Sequence, residues 1–147
     1  MFALTMTVGI AVTVALLELT GLIAGGIIVP AYVSTILGSP VSLALLLVMA
    51  LCVLAALRLL ERVMPLYGTR RYGISVLLGG VLNTAAQFLF APLLSSQVMA
   101  VEWSAFGYLV PGLIAYHFDR QGILRTVMMI AIAAPLVRAL VLLLRFV

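Results

Sequence analysis

The stretch 41–60 carries a single charge, Arg58, near its end, and is otherwise built from leucine, valine, alanine, methionine, one serine and one cysteine. About twenty residues of α-helix cross the hydrocarbon core of a bilayer. A backbone in lipid must satisfy its own hydrogen bonds, so such a run crosses as a helix. No segment alternates polar and apolar residues as a barrel strand does. The rest of the chain has the same character, with 66% hydrophobic and 8% charged residues and a mean hydropathy of +1.37. A soluble domain carries about a quarter of its residues charged. The expected fold is therefore all-α, a polytopic membrane helical bundle of five to six membrane segments forming one domain over residues 1–147.

The net charge of +4 comes from eight arginines, with no lysine, against four acidic residues. Basic residues flanking membrane segments report topology; a polyanionic partner is the functional alternative. Cys52 lies mid-helix among leucines, and a single cysteine excludes an internal disulfide. One histidine and one cysteine build no metal cluster. His117 has no nucleophile and base arranged around it, and Gly25-Gly26 and Gly79-Gly80 lack the lysine of a phosphate-cradling loop. Neither a self-contained catalytic site nor a cofactor site is expected, and nucleic acid is not an expected partner.

Taken in order, a first segment at 3–17 is short for a full crossing and ends at Glu18-Leu19-Thr20-Gly21. No basic region precedes it, so a retained helix is expected over a cleaved signal. A second segment at 22–37 contains Gly25, Gly26 and Pro30; the two either fuse into one tilted helix or form a short helix followed by a broken one. Gly38-Ser39-Pro40 is a turn, with Pro40 set to open the next helix. After 41–60 comes the most basic loop. Its arginines, Arg58, Arg62, Arg70 and Arg71, put it in the cytoplasm. A crossing at 72–94, ended by Pro92, carries Asn83 and Gln87 one turn apart on one face. Their amides either tie helices together or line a polar passage. Ser95, Ser96, Gln97, Glu102 and Trp103 form the opposite loop, with Trp103 an interfacial anchor. A short segment at 104–118 leads to His117, Asp119, Arg120, Gln121 and Gly122, and Arg125 begins a last crossing at 123–147 with Pro135 as a kink and Arg138 inside the apolar run.

Two breaks echo each other. Gly26-Ile27-Ile28-Val29-Pro30 matches Gly107-Tyr108-Leu109-Val110-Pro111, 81 residues on, and the second continues as Gly112-Leu113-Ile114-Ala115. Proline removes a donor from the helix ladder, which lipid tolerates only where the backbone faces protein or water. Both breaks are expected to point inward, as a structural path or as packed kinks. With units at 1–62 and 72–147, three crossings per unit would make an inverted repeat and two a parallel one. Glu18 stands at the membrane edge, where a carboxylate is cheap, or partners an arginine.

Glu18-x-Thr20-Gly21, Gly26 to Pro30, Leu66-Tyr67-Gly68 with Arg70-Arg71, Val110 to Ala115 and Gln121-Gly122 occur in an order that resembles the capsule biosynthesis protein C family, the small membrane component of bacterial poly-γ-glutamate synthases. The resemblance covers essentially the whole chain. It departs at Leu19, where the family has a basic residue, and at Thr69 and Phe106. It implies a multi-pass component of the bacterial cytoplasmic membrane, working with an ATP-dependent amide ligase and a largely extracytoplasmic partner of the same synthase, in a possible homo-oligomer. ATP and a divalent metal are then expected on the ligase and none on this chain. The ligase would activate a glutamate γ-carboxyl as an acyl phosphate, and this chain would dock it and help pass the polymer. Arg58, Arg62, Arg70, Arg71, Arg120 and Arg125 are the expected contacts for polymer or partner. Gly26, Val29, Pro30, Val110, Pro111 and Gly112 would shape the path. A small secondary transporter or channel acting on its own solute is the alternative.

Overall fold

The computed structural model describes residues 2–90 and 105–146. Among these the chain forms six helices and no strand: α1 (Phe2–Thr20), α2 (Val29–Ile36), α3 (Pro40–Glu61), α4 (Thr69–Phe90), α5 (Ala105–Gln121) and α6 (Ile123–Phe146). Pro92, Ser95, Ser96, Gln97, Glu102 and Trp103 lie outside the described residues. Four helices, α1, α3, α4 and α6, are long and apolar enough to cross a membrane. The chain is a helical membrane bundle.

The first segment is longer than its polar residues suggest. Glu18 and Thr20 do not stop α1, because the Thr20 hydroxyl folds back to donate to the Leu16 carbonyl at 2.6 Å. Gly21 stops it, turning left-handed at φ 67° while its N–H still bonds the Leu17 carbonyl, a glycine terminus of the usual kind. At 19 residues α1 meets the crossing length. It does not fuse with the next segment, since residues 21–28 are non-helical.

Those eight residues and α2 return alongside α1. The Thr13 hydroxyl approaches the Ile27 carbonyl at 3.3 Å. Farther up, Gly9 meets Ala31 so closely that a Cβ on Gly9 would fall 2.4 Å from that of Ala31. At the other end Ile23 is held by Gln121, the last residue of α5. The hairpin therefore runs antiparallel across the bundle, and α1, α3 and α5 point toward one face while residues 21–36, α4 and α6 point away from it.

The two Val-Pro motifs fold differently. Pro30 sits in the first turn of α2, where its missing N–H is harmless; the break precedes it. Pro111 lies inside α5, which continues through it. Only the hydrogen-bond ladder is interrupted there, at the Gly107 carbonyl four residues back. Both motifs point inward as expected: Val29 is fully buried and Val110 is 1% exposed. They meet in a core made by Tyr32, Val33, Ala50, Val53, Ile114, Phe118 and Ala133 from α2, α3, α5 and α6. The outside is apolar too, with Phe88 82% exposed and Leu77, Leu124 and Leu143 uncovered, a surface that lipid covers and water would not.

Candidate functional site: an arginine face above a broken helix

Six of the eight arginines collect at the ends of four helices on one face: Arg58 and Arg62 where α3 ends, Arg70 and Arg71 where α4 begins, Arg120 at the end of α5 and Arg125 at the start of α6. Short connections put them there, because α3 hands over to α4, and α5 to α6, on the same side. Arg58, Arg62, Arg70 and Arg125 are exposed and make no ion pair with a described residue. Arg120 is exposed as well, but its Nη1 donates to the Tyr116 hydroxyl at 3.2 Å and its guanidinium lies 5.9 Å from that ring's centroid.

Arg71 behaves differently from its neighbour. The sequence groups it with the displayed arginines, yet its Nη2 pairs with both Glu61 and Asp119. It thereby ties the start of α4 to the ends of α3 and α5. Each of the three charges stands at the helix terminus its sign least suits, so the cluster is self-compensating rather than offered to a ligand. No sequence spacing announces it, since its members come from three helices. Glu18 is exposed at the end of α1 and pairs with no described arginine.

Beneath this face lies a cavity of about 290 Å³ between residues 23–28 and helices α4 and α5, lined by Gly26, Ile27, Tyr72, Leu113, Tyr116 and His117. The unwound backbone that forms one wall is held by side chains. The Gln121 amide accepts from the Ile23 N–H at 3.1 Å and donates to the Ile23 carbonyl at 3.3 Å, a strand-like clasp that sequence reading missed. Gly25 and Gly26 adopt φ 74° and 132°, conformations that other residues avoid. Tyr72 and Tyr116 meet edge to face at 5.2 Å. Nδ1 of His117 bonds the Leu113 carbonyl at 2.8 Å.

Asn83 and Gln87 join α4 to α5. Nδ2 of Asn83 donates to the Gly107 carbonyl at 3.3 Å, the acceptor that Pro111 leaves without its helical partner. The Tyr108 hydroxyl donates to Oε1 of Gln87 at 3.3 Å. Gly112 lets the two helices touch: the Ser75 hydroxyl donates to its carbonyl at 3.0 Å, and a Cβ there would lie 2.5 Å from the Ser75 carbonyl oxygen. Among the described residues no group of three or more His, Cys, Asp or Glu side chains could hold a metal ion.

Residues 8–127 match the family described as Capsule biosynthesis CapC. The chain is similar to the "PGA biosynthesis protein CapC" of Bacillus subtilis (strain 168), with 30% identity over 82% of this chain and 79% of the relative. It is also similar to the "Capsule biosynthesis protein CapC" of Bacillus anthracis, with 26% identity over 84% of this chain and 82% of that protein. No solved structure matches at comparable significance. With a family match over residues 8–127 and two relatives covered over 79% and 82% of their length, the chain belongs to the CapC capsule biosynthesis family.

Proposed function

We propose that this chain is the membrane component of a poly-γ-glutamate synthase, docking the ATP-dependent amide ligase and helping to pass the growing polymer across the membrane. The observation that carries the reading is the arginine face, taken with the PGA and capsule names of the relatives. Polyglutamate has one carboxylate per residue, and guanidinium groups bind carboxylates through paired, charge-assisted hydrogen bonds. The surplus of arginine supports a cytoplasmic position for this face, where a soluble ligase with its ATP and divalent metal would meet it. Arg58, Arg62, Arg70, Arg120 and Arg125 supply the contact, and Arg71 supplies the rigidity beneath them.

The test is co-purification of the chain with the ligase and the extracytoplasmic partner, followed by a polymer assay. Charge reversal at Arg62 and Arg70 should cut ligase recovery and polymer output while the protein stays in the membrane at normal abundance. If both survive the reversal, the docking role is wrong. The cavity at the unwound segment favours a second reading, a small transporter acting on its own solute, which predicts solute uptake by vesicles holding this chain alone.

A further inference from the structure

The two Val-Pro motifs sit in matched surroundings. On α1, Gly9 faces Ala31, the residue after Pro30; on α4, Gly79 faces Gly112, the residue after Pro111. Four residues further along each outer helix a polar side chain lies 3.3 Å from a carbonyl upstream of the proline. The Thr13 hydroxyl, which bonds Gly9 of its own helix at 2.7 Å, lies beside Ile27 three residues before Pro30, and the Asn83 amide donates to Gly107 four residues before Pro111. One offset of 70 residues relates both members of α1 to those of α4, and one of 81 relates the motifs. The third helices cross over, α3 packing on α4 and α5 and α6 packing on α1 and α2. Since α1 runs toward the arginine face and α4 away from it, the operation relating the halves is an inverted pseudo-twofold.

The halves nevertheless differ where their sequences agree. Gly-x-x-Val-Pro is unwound up to Ile28 in the first and helical in the second. The unwound half borders a cavity at the end of the bundle that carries the arginine face. Its mate would open beside Tyr108, toward the opposite face. Gln121 clasps the unwound segment, and its counterpart at the 81-residue offset is Pro40, which has no amide to offer. The helical half already lacks the bond that Pro111 would make to Gly107, so its first turns unwind more cheaply than an ordinary helix.

We propose that the two Val-Pro units exchange conformations, residues 21–28 winding up as residues 107–110 unwind, so that the cavity opens to one face and then to the other. This rests on the paired geometry and not on what the chain carries, so it stands or falls apart from the synthase reading.

Cysteine accessibility in sealed vesicles tests it, in a Cys52→Ser background, using a membrane-impermeant maleimide supplied to one face at a time. Ile27→Cys should react from the arginine face and Tyr108→Cys more slowly from the other. Gly25→Ala with Gly26→Ala penalises the unwound state, shifting the exchange by about tenfold or more. Labelling of Tyr108→Cys, which reads the minor state, should then rise by up to that factor, while labelling of Ile27→Cys falls only as the unwound population does. A fall at Ile27→Cys with no rise at Tyr108→Cys overturns the proposal. Should the alanine pair fail to fold, Gln121→Leu takes its place, removing the clasp on Ile23 that holds the unwound state. Tyr108→Cys labelling should then rise; labelling indifferent to the loss of the clasp overturns the exchange.

Discussion

Replacing Arg71 with methionine removes the one cation that holds both Glu61 and Asp119. Their side chains are 27% and 13% exposed, and each carboxylate stands at a helix C-terminus, where the peptide dipoles also oppose negative charge. Removing one partner of a buried pair costs about 3–5 kcal/mol. Partial exposure lets water take back some of the stranded charge, which lowers the figure to about 2 kcal/mol. That is more than tenfold in the folded-to-unfolded ratio. The measurement is thermal or denaturant unfolding of the purified protein in detergent, comparing R71M, the E61Q/D119N pair, and the triple variant. R71M should be the least stable of the three, and the triple should recover most of the loss because no unpaired charge remains. If R71M unfolds like the parent, or the triple is no better than R71M, the cluster does not hold the three helices.

The same cluster changes how arginine mutants should be read. Arg70 and Arg71 are adjacent in sequence, but only Arg71 is paired within the bundle. Loss of polymer in an R71E strain would report a damaged bundle. Loss in an R70E strain would report a damaged surface.

Three further outcomes follow from the helix contacts. G112A should destabilise the protein by about 1–3 kcal/mol through overpacking against Ser75, whereas G80A, whose added Cβ meets nothing within 4 Å, should be neutral or stabilising by up to about 1 kcal/mol; paired unfolding curves decide. Asn83→Ala should cost about 0.6–1.7 kcal/mol, the range for hydrogen bonds between membrane helices. It should cost less in a P111A background, where the substituted position regains an N–H for the Gly107 carbonyl; a double-mutant cycle reads the coupling. Gln121→Leu should strip the clasp from Ile23 and lower the reactivity of Ile27→Cys, while Gln121→Glu, which keeps the acceptor for the Ile23 N–H, should lower it less.

Hydropathy made the class of fold legible because lipid imposes one demand on every backbone group, and 41–60 meets it unaided. The turn at Gly38 to Pro40 was legible for the same local reason, proline opening a helix as α3 shows. What sequence reading misjudged depends on partners distant along the chain. The identical Gly-x-x-Val-Pro strings take two conformations because Gln121 is present to satisfy one of them in unwound form, and Asn83 is present to mend the other as a helix. Arg71 looked like Arg70 because nothing local distinguishes an arginine facing solvent from one facing two carboxylates on other helices. The end of α1 was misplaced because Glu18 and Thr20 read as an edge, although glycine geometry sets the end.

The polar side chains between the helices leave little for a polyanion. Asn83, Gln87, Ser75, Thr13 and Gln121 are all engaged with protein carbonyls, amides or the Tyr108 hydroxyl. The cavity beside the unwound segment is lined largely by isoleucine, leucine and tyrosine. A carboxylate entering lipid or an apolar cleft without a cation costs several kcal/mol, and a polymer presents one per residue. A path running inside a single copy would therefore need cations beyond the arginine face. The chain supplies Arg138, which is exposed on α6 within an apolar stretch and reaches toward the turn at Gly38. In the proposed synthase, a continuous basic route then needs Arg138 from neighbouring copies or a cation from the extracytoplasmic partner. R138L distinguishes this from simple snorkelling to lipid headgroups: polymer output should fall several-fold with folding and ligase recovery unchanged. Unchanged output would remove Arg138, and with it the route through this helix, from the pathway.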